Sequence, residues 1–575
     1  MRNKRFLALI LSMAMTMSLF GCGGEASQSG GSQKDGVRQE QREAVGGAEG
    51  KTAIMPHEGV MREEEAAVSA DRNVPQMSQS TAGMKNDLMA FAAMEDGTYL
   101  SEELPENWNT EEYSGLEEPG FASVASTPLS TFSADVDTAS YSNIRRMIED
   151  GYGLDEIPAG AVRIEEMLNY FSYDYKLPGK DEPFGVTTVI GDCPWNEDAK
   201  LLQIGLKTQK IDFSEAPASN LVFLLDVSGS MYSNDKLPLL QKSFSLLAEE
   251  LTEKDTVSIV TYAGSDRVVL KGESGDHKEK IIEAINGLEA GGSTNGADGI
   301  ETAYALAEEY FIEGGNNRVI LATDGDLNVG VSSESDLKDL VTEKRKSGVF
   351  LSVLGFGTGN IKDNKMEALA DNGNGNYAYI DSISEAKKVL VDEMGATLVT
   401  VAKDVKLQVE FNPAYIKGYR LLGYENRALA AEDFEDDKKD AGEIGAGHTV
   451  TALYEIVPVD SKQEIEAPSL KYRDEGTGVE NGEWLNVKIR YKEPEGEESL
   501  LKEYPVTEKA YRKEPSQDFY FAAAVAEFGL LLRDSEYKGS ASFDNVKKLL
   551  KHVDTDNDDY KDEFSYLVKK LEKTQ

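Results

Sequence analysis

The chain has 575 residues, with 103 Asp and Glu against 60 Lys and Arg, a net charge of −43. So acidic a chain repels phosphate backbones, which excludes nucleic acid as a partner. The same charge favours solubility and a diffuse attraction for cations.

The N-terminus opens with Arg2, Lys4 and Arg5, followed by an apolar stretch over residues 6–20. That stretch is too short for a permanent membrane span. Leu19-Phe20-Gly21-Cys22 resembles a bacterial lipoprotein box. The resemblance implies that residues 1–21 are a signal peptide, removed before Cys22, and that the Cys22 thiol is lipidated. It places the protein on the bacterial cell membrane, lipid-anchored and facing outside the cytoplasm. Lipidation of Cys22 leaves Cys193 without a disulfide partner, so stability has to come from a packed core. Cys193, just before Pro194-Trp195, reads as a buried structural thiol and not a nucleophile. Residues 22–115, rich in Gly, Ser, Gln, Glu and Ala, bury too little apolar surface to fold and read as a disordered tether. Within them residues 84–94 have the pattern of a short amphipathic helix, stable or transient.

A flanking region over residues 116–217 comes next. Asp135 and Asp137 precede Thr138-Ala139-Ser140-Tyr141 and read as turn and helix-capping groups, not metal ligands. Residues 162–171 have the spacing of an amphipathic helix, with Val162, Ile164, Met167, Leu168 and Phe171 on its apolar side. Strand patterns cover residues 184–190 and 201–208, then resume beyond the central region at 405–411, 449–457 and 484–491. The last alternates apolar and polar residues, as a half-exposed antiparallel strand does. These segments are expected to pair into one β-sandwich with the central region inserted between its halves, as the adjacent ends of an α/β domain allow. The tail from Ser516 reads as helices, with residues 519–532 apolar on most sides. Residues 554–558 miss the EF-hand pattern, with Asp559 in place of the Gly and Ser565 in place of the bidentate Glu. They read as a polar turn before a helix at Tyr560.

The central region, residues 218–398, alternates apolar runs (220–225, 255–262, 319–323, 349–355, 377–380) with helical spacings (278–288, 297–311). Residues 267–270 read as a short antiparallel edge strand. This pattern describes a parallel sheet covered on both faces. Asp226-Val227-Ser228-Gly229-Ser230 leaves the carboxyl end of the first run, where such sheets bind ligands. One carboxylate and two hydroxyls this close suit a hard divalent cation. Taken singly, Ser228 and Ser230 would cap the helix beginning near Leu237, and Asp324-Gly325 would be an ordinary turn.

Together they are more specific. Asp-x-Ser-x-Ser strongly resembles the metal-ion-dependent adhesion site of von Willebrand factor type A domains. Thr294, in Gly291-Gly292-Ser293-Thr294-Asn295-Gly296, and Asp324, at the end of the run 319–323, match the site's remaining positions. The resemblance implies a Rossmann-like α/β fold and a divalent metal held by Asp226, Ser228, Ser230, Thr294 and Asp324. Mg²⁺, Mn²⁺ and Ca²⁺ all accept such ligands. Mg²⁺ is preferred because few carboxylates leave room for the waters it retains. It further implies an open coordination position that takes an Asp or Glu from a partner protein. Residues 127–171 resemble the region found beside type A domains in bacterial envelope proteins. Residues 519–571, within a C-terminal β/helical domain over 399–575, resemble the uncharacterised domain that accompanies this family.

Three functions are compatible with these residues: a metal-dependent adhesion lipoprotein, an envelope scaffold in which the metal only stabilises the fold, and a surface hydrolase with Ser228 or Ser230 as nucleophile. The hydrolase is disfavoured. His57, His277, His448 and His552 are all remote in sequence from the Ser pair. No His-Glu-x-x-His, Gly-x-Ser-x-Gly or phosphate-binding loop is present. The chain therefore reads as a binder and not an enzyme.

Overall fold

The structure is a computed structural model that describes residues 109–180, 182–211, 216–292, 297–325, 334–393, 398–439, 441–466 and 478–574. The signal peptide, Cys22 and nearly all of the tether lie outside the described residues, as does Thr294. In chain order the strands are β1 (Ala122–Ser123), β2 (Leu129–Ser133), β3 (Gly185–Asp192), β4 (Lys200–Lys207), β5 (Ser219–Asp226), β6 (Thr256–Ala263), β7 (Ser265–Ser274), β8 (Asn316–Thr323) and β9 (Phe350–Phe356). They continue with β10 (Tyr377–Ile380), β11 (Thr400–Phe411), β12 (Ile416–Leu422), β13 (Ala428–Leu429), β14 (Ile444–Gly445), β15 (Thr449–Pro458), β16 (Glu483–Lys492) and β17 (Leu500–Thr507).

The central sheet has the order β10-β9-β8-β5-β6-β7. All its pairings are parallel except that of β7, the antiparallel edge expected from residues 267–270. β5 is buried along its whole length, and its side chains alternate between two cores. Leu221, Phe223 and Leu225 pack with Leu240, Phe244 and Ile281 on one face, while Val222 and Leu224 pack with Ile300, Tyr304 and Met366 on the other. A continuous apolar run is what such a doubly covered strand requires.

The flanking strands form two antiparallel sheets, β1-β12-β15-β4-β3 and β13-β2-β11-β16-β17. Leu202, Ile204, Val450 and Tyr454 of the first share a core with Leu407, Val409, Leu485 and Val487 of the second. This is the expected sandwich, and each sheet draws strands from both sides of the insertion. β16 alternates between buried and half-buried residues, as its sequence suggested. The outer face of the first sheet, through Leu201, Leu453 and Val457, is covered by helices Ala139–Glu149, Ile164–Asn169, Gln517–Leu532, Phe543–Leu550 and Asp559–Glu572. The last begins where the sequence placed it, capped by the Asp558 carboxylate, which accepts from Lys561 N.

Two local expectations change. The helix expected over residues 162–171 is shorter, although Val162, Ile164, Met167, Leu168 and Phe171 lie together in one core as expected. The helix there is only Ile164–Asn169 and is buried on every side, including Glu165 and Glu166. Glu166 meets Arg163 in place of water. Asp137 does not cap the following helix; Thr138 makes no side-chain cap, and Ser140 N in the first turn donates to Glu166 Oε2 at 2.8 Å. The Asp137 carboxylate instead accepts from Tyr377 N at 2.7 Å and pairs with Arg427 at 2.9 Å.

Three arginines tie the parts together. Arg145 reaches Asp381 at 2.6 Å, Glu385 at 2.7 Å and Glu563 at 3.0 Å. Arg163 pairs with Glu166 and with Asp363 at 2.5 Å. Arg427 pairs with Asp137 and with Asp371 at 2.6 Å. Each set joins the central domain to its flanks.

Candidate metal centre

Asp226 is the last residue of β5, and Asp324 follows β8, its direct parallel neighbour. Neighbouring parallel strands end side by side, so two carboxylates far apart in sequence meet at one edge of the sheet. Both are buried, at 0% and 1% exposure. Asp226 Oδ1 accepts from Ser228 N at 2.8 Å, and Oδ2 accepts from Thr323 Oγ1 at 3.1 Å and Tyr262 Oη at 3.3 Å. Burial pushes the Asp226 carboxyl up to about 6, against the lowering effect of its Ser228 hydrogen bonds, and the nearby Asp324 charge adds to the rise.

The next residues turn sharply. Ser228 is buried, Ser230 is exposed, and their hydroxyls lie 3.0 Å apart. Neither caps the helix Leu237–Glu250, whose N-terminal residue Lys236 makes no side-chain cap. The turn is instead laced to the loop that leads towards Thr294. Gly291 N donates to Val227 O at 2.8 Å, and Gly229 N donates to Gly292 O at 3.1 Å. Gly292 has φ +86°, the left-handed region that glycine adopts without strain. On the other side Gly325, at φ +97°, lies so close to the loop at 360–362 that a Cβ would fall 2.6 Å from Lys362 N. Of the five sequence-predicted ligands, Asp226, Ser228, Ser230 and Asp324 are thus gathered at one sheet edge. Thr294 lies outside the described residues.

A sixth group was not anticipated. Lys236 Nζ donates to Asp324 Oδ2 at 2.8 Å, and its side chain is 9% exposed. No local pattern announced it, since a Lys opening a helix ordinarily faces water. The remaining donors are carboxylate and hydroxyl oxygens, the set that hard divalent cations prefer. Among the described residues, two buried carboxylates face one ammonium, and this oxygen set and net negative charge fit a bound cation.

A second acidic group lies elsewhere. Carboxylate oxygens of Asp137, Glu166 and Glu367 fall within 4.8 Å of one another, all buried. Burial pushes Glu367 up to about 7 and raises Asp137 well above its usual range. Arg163 and Arg427 supply its countercharge, so the arrangement is that of a structural ion network. Of the described histidines, His277 pairs with Glu273 and His552 stacks on Tyr520.

Comparison with known proteins agrees with this architecture. Residues 220–392 match the von Willebrand factor type A domain, residues 107–203 match a von Willebrand factor model, and residues 396–574 match the C-terminal domain of the uncharacterized protein YfbK. The uncharacterized protein YfbK of Escherichia coli (strain K12) is 42% identical over 516 residues, 87% of either chain. The human inter-alpha-trypsin inhibitor heavy chain H4 is 26% identical over 267 residues, 44% of this chain and 28% of that one. Among solved structures, a von Willebrand factor type A protein from Catenulispora acidiphila is similar at 15% identity and a TM-score of 0.36, covering 78% of this chain and 94% of that one. Type A domains often mediate protein–protein interaction and commonly bind a divalent metal. By its sequence and by the domains it carries, the chain belongs to the family of von Willebrand factor type A proteins that have the YfbK-type C-terminal domain.

Proposed function

We propose that this protein is a lipid-anchored binding protein of the bacterial cell envelope, and that its type A domain holds a divalent cation, Mg²⁺ by preference, through Asp226, Ser228, Ser230, Thr294 and Asp324. The observation that carries the reading is the pair of buried carboxylates, Asp226 and Asp324, beside two hydroxyls at the carboxyl ends of adjacent strands. A bound cation would supply an electrophilic position for an Asp or Glu side chain of a partner protein. The chain's own part is to hold the oxygens in place. Thr323 and Tyr262 orient Asp226, and the backbone bonds from Gly229 and Gly291 fix the serine turn.

The hydrolase reading finds no support in the serine pair, because among the described residues no hydrogen bond joins Ser228 or Ser230 to a histidine; Ser228 bonds Ser230 and Asp226. Calorimetric titration of Mg²⁺, Mn²⁺ and Ca²⁺ into the purified chain tests the metal site. Saturable binding abolished in Asp226→Ala is expected, and no binding to the wild type with or without added acetate would refute the reading. The anchor rests on the resemblance at Cys22 and is tested by labelling cells with a palmitate analogue. Label on the wild type that disappears in Cys22→Ala is expected.

A further inference from the structure

Lys236 is the buried cation that the site already contains. Its stem lies across Gly357, where a Cβ would fall 2.2 Å from Lys236 Cγ, 2.8 Å from Cδ and 2.4 Å from Cε. Gly357 also has φ +73°, so the backbone there combines a conformation and a clearance that suit glycine alone. Its carbonyl is held by Tyr379 Oη at 2.8 Å. The ammonium thus sits in a fitted groove, with its charge on Asp324. An ammonium this buried loses its hydration and depends on its carboxylate.

Charge counting at the site gives the consequence. Among the described residues of the site, Asp226 and Asp324 carry two negative charges and Lys236 one positive, a net charge of minus one. A divalent cation alone would leave the site at plus one, with two cations sharing Asp324. A divalent cation together with one carboxylate from outside would leave it neutral. We propose that Lys236 makes metal binding and acidic-ligand binding interdependent, weakening the metal when it binds alone and favouring the metal with a carboxylate ligand. This rests on the adhesion-site reading above and adds to it the reason the ligand must be an acid. The coupling is reciprocal: whatever factor the carboxylate adds to metal affinity, the metal adds to carboxylate affinity. Without metal, Lys236 keeps Asp324 paired and the sheet edge folded.

The test is calorimetry of Mg²⁺ binding to the purified chain, with and without saturating acetate, for the wild type, Lys236→Met and Lys236→Arg. For the wild type, acetate is expected to tighten Mg²⁺ binding. In Lys236→Met, binding without acetate should tighten by roughly tenfold or more, because a like charge has left a partly buried site. The acetate effect should vanish in the same variant. Lys236→Arg, which keeps the charge, should retain an acetate effect. Thermal melting in chelator is the companion measurement. Lys236→Met should melt below the wild type, and adding Asp324→Asn to it should restore the loss. Equal Mg²⁺ affinity and equal acetate dependence in the wild type and Lys236→Met would overturn the role of Lys236 while leaving the metal site intact. No saturable Mg²⁺ binding in either would overturn the metal site, and this inference with it.

Discussion

Replacing Arg163 with Met tests whether the central domain and its flanks form one cooperative structure. Arg163 is 1% exposed and faces Glu166 at 2% and Asp363 at 0%. Met keeps part of the stem's volume and removes the charge, leaving two carboxylates buried beside the raised Glu367. Removing one partner of a buried, hydrogen-bonded ion pair costs about 3–5 kcal/mol, because the remaining charge stays desolvated. The control is Lys346→Met, whose pair with Glu343 is 66% and 72% exposed and should matter little. Urea unfolding followed by fluorescence reads the difference, since Trp195 is buried in the helical core and reports on the flanks. The Arg163→Met midpoint should fall far below that of the control, with loss of the flank signal. Asp363→Asn added to Arg163→Met should recover part of the loss, a coupling of about 0.5–3 kcal/mol. A midpoint for Arg163→Met equal to that of Lys346→Met would refute the argument, because the network would then contribute no more than a surface pair.

Residues 400–575 expressed alone should fail to unfold cooperatively, because both sheets lack strands without β2, β3 and β4; a sharp thermal transition by circular dichroism would contradict this. Cys193 is 6% exposed, and burial beside Glu455 pushes its thiol well up, so a thiol reagent should react with it only after denaturation. Rapid labelling of the native chain would show that the site opens. Burial lowers His448 to about 4 from 6.5, with the positive charge of Lys388 adding to the effect. Its contribution to stability should therefore be full above pH 6.5 and be lost as pH falls through 6.5 towards 4. An NMR titration of the ring with a midpoint near 6.5 would contradict that assignment.

The parts legible in the sequence are those whose signal is local. β5 is a continuous apolar run, β16 alternates, and Asp226-x-Ser228-x-Ser230 lies within five residues, so each can be read without knowing its neighbours. Strands with mixed signals escape. β2 reads Leu-Ser-Thr-Phe-Ser, β12 contains Gly418, and β17 contains Pro505, which a strand tolerates at the edge of a sheet, where β17 lies. The ion networks escape for another reason. Arg145 meets Asp381 and Glu563, and Lys236 meets Asp324, across separations that no spacing rule spans. A glutamate-bearing helix such as Ile164–Asn169 therefore looks like a surface helix until its arginine is known.

The insertion also sets an order of assembly. β2 cannot be paired until β11 exists, since Phe132 waits for Leu407 across the whole length of the central domain. The parallel sheet, by contrast, needs only residues between β5 and β10. As the chain emerges from its N-terminus, the α/β core can therefore close while β2 and β4 still lack their long-range partners. Loop closure on that scale is slow, and unpaired strand edges are where chains stick to one another. The interval between the arrival of β4 and that of β15 is thus the period in which this protein most needs a chaperone, and lengthening the inserted domain would lengthen it.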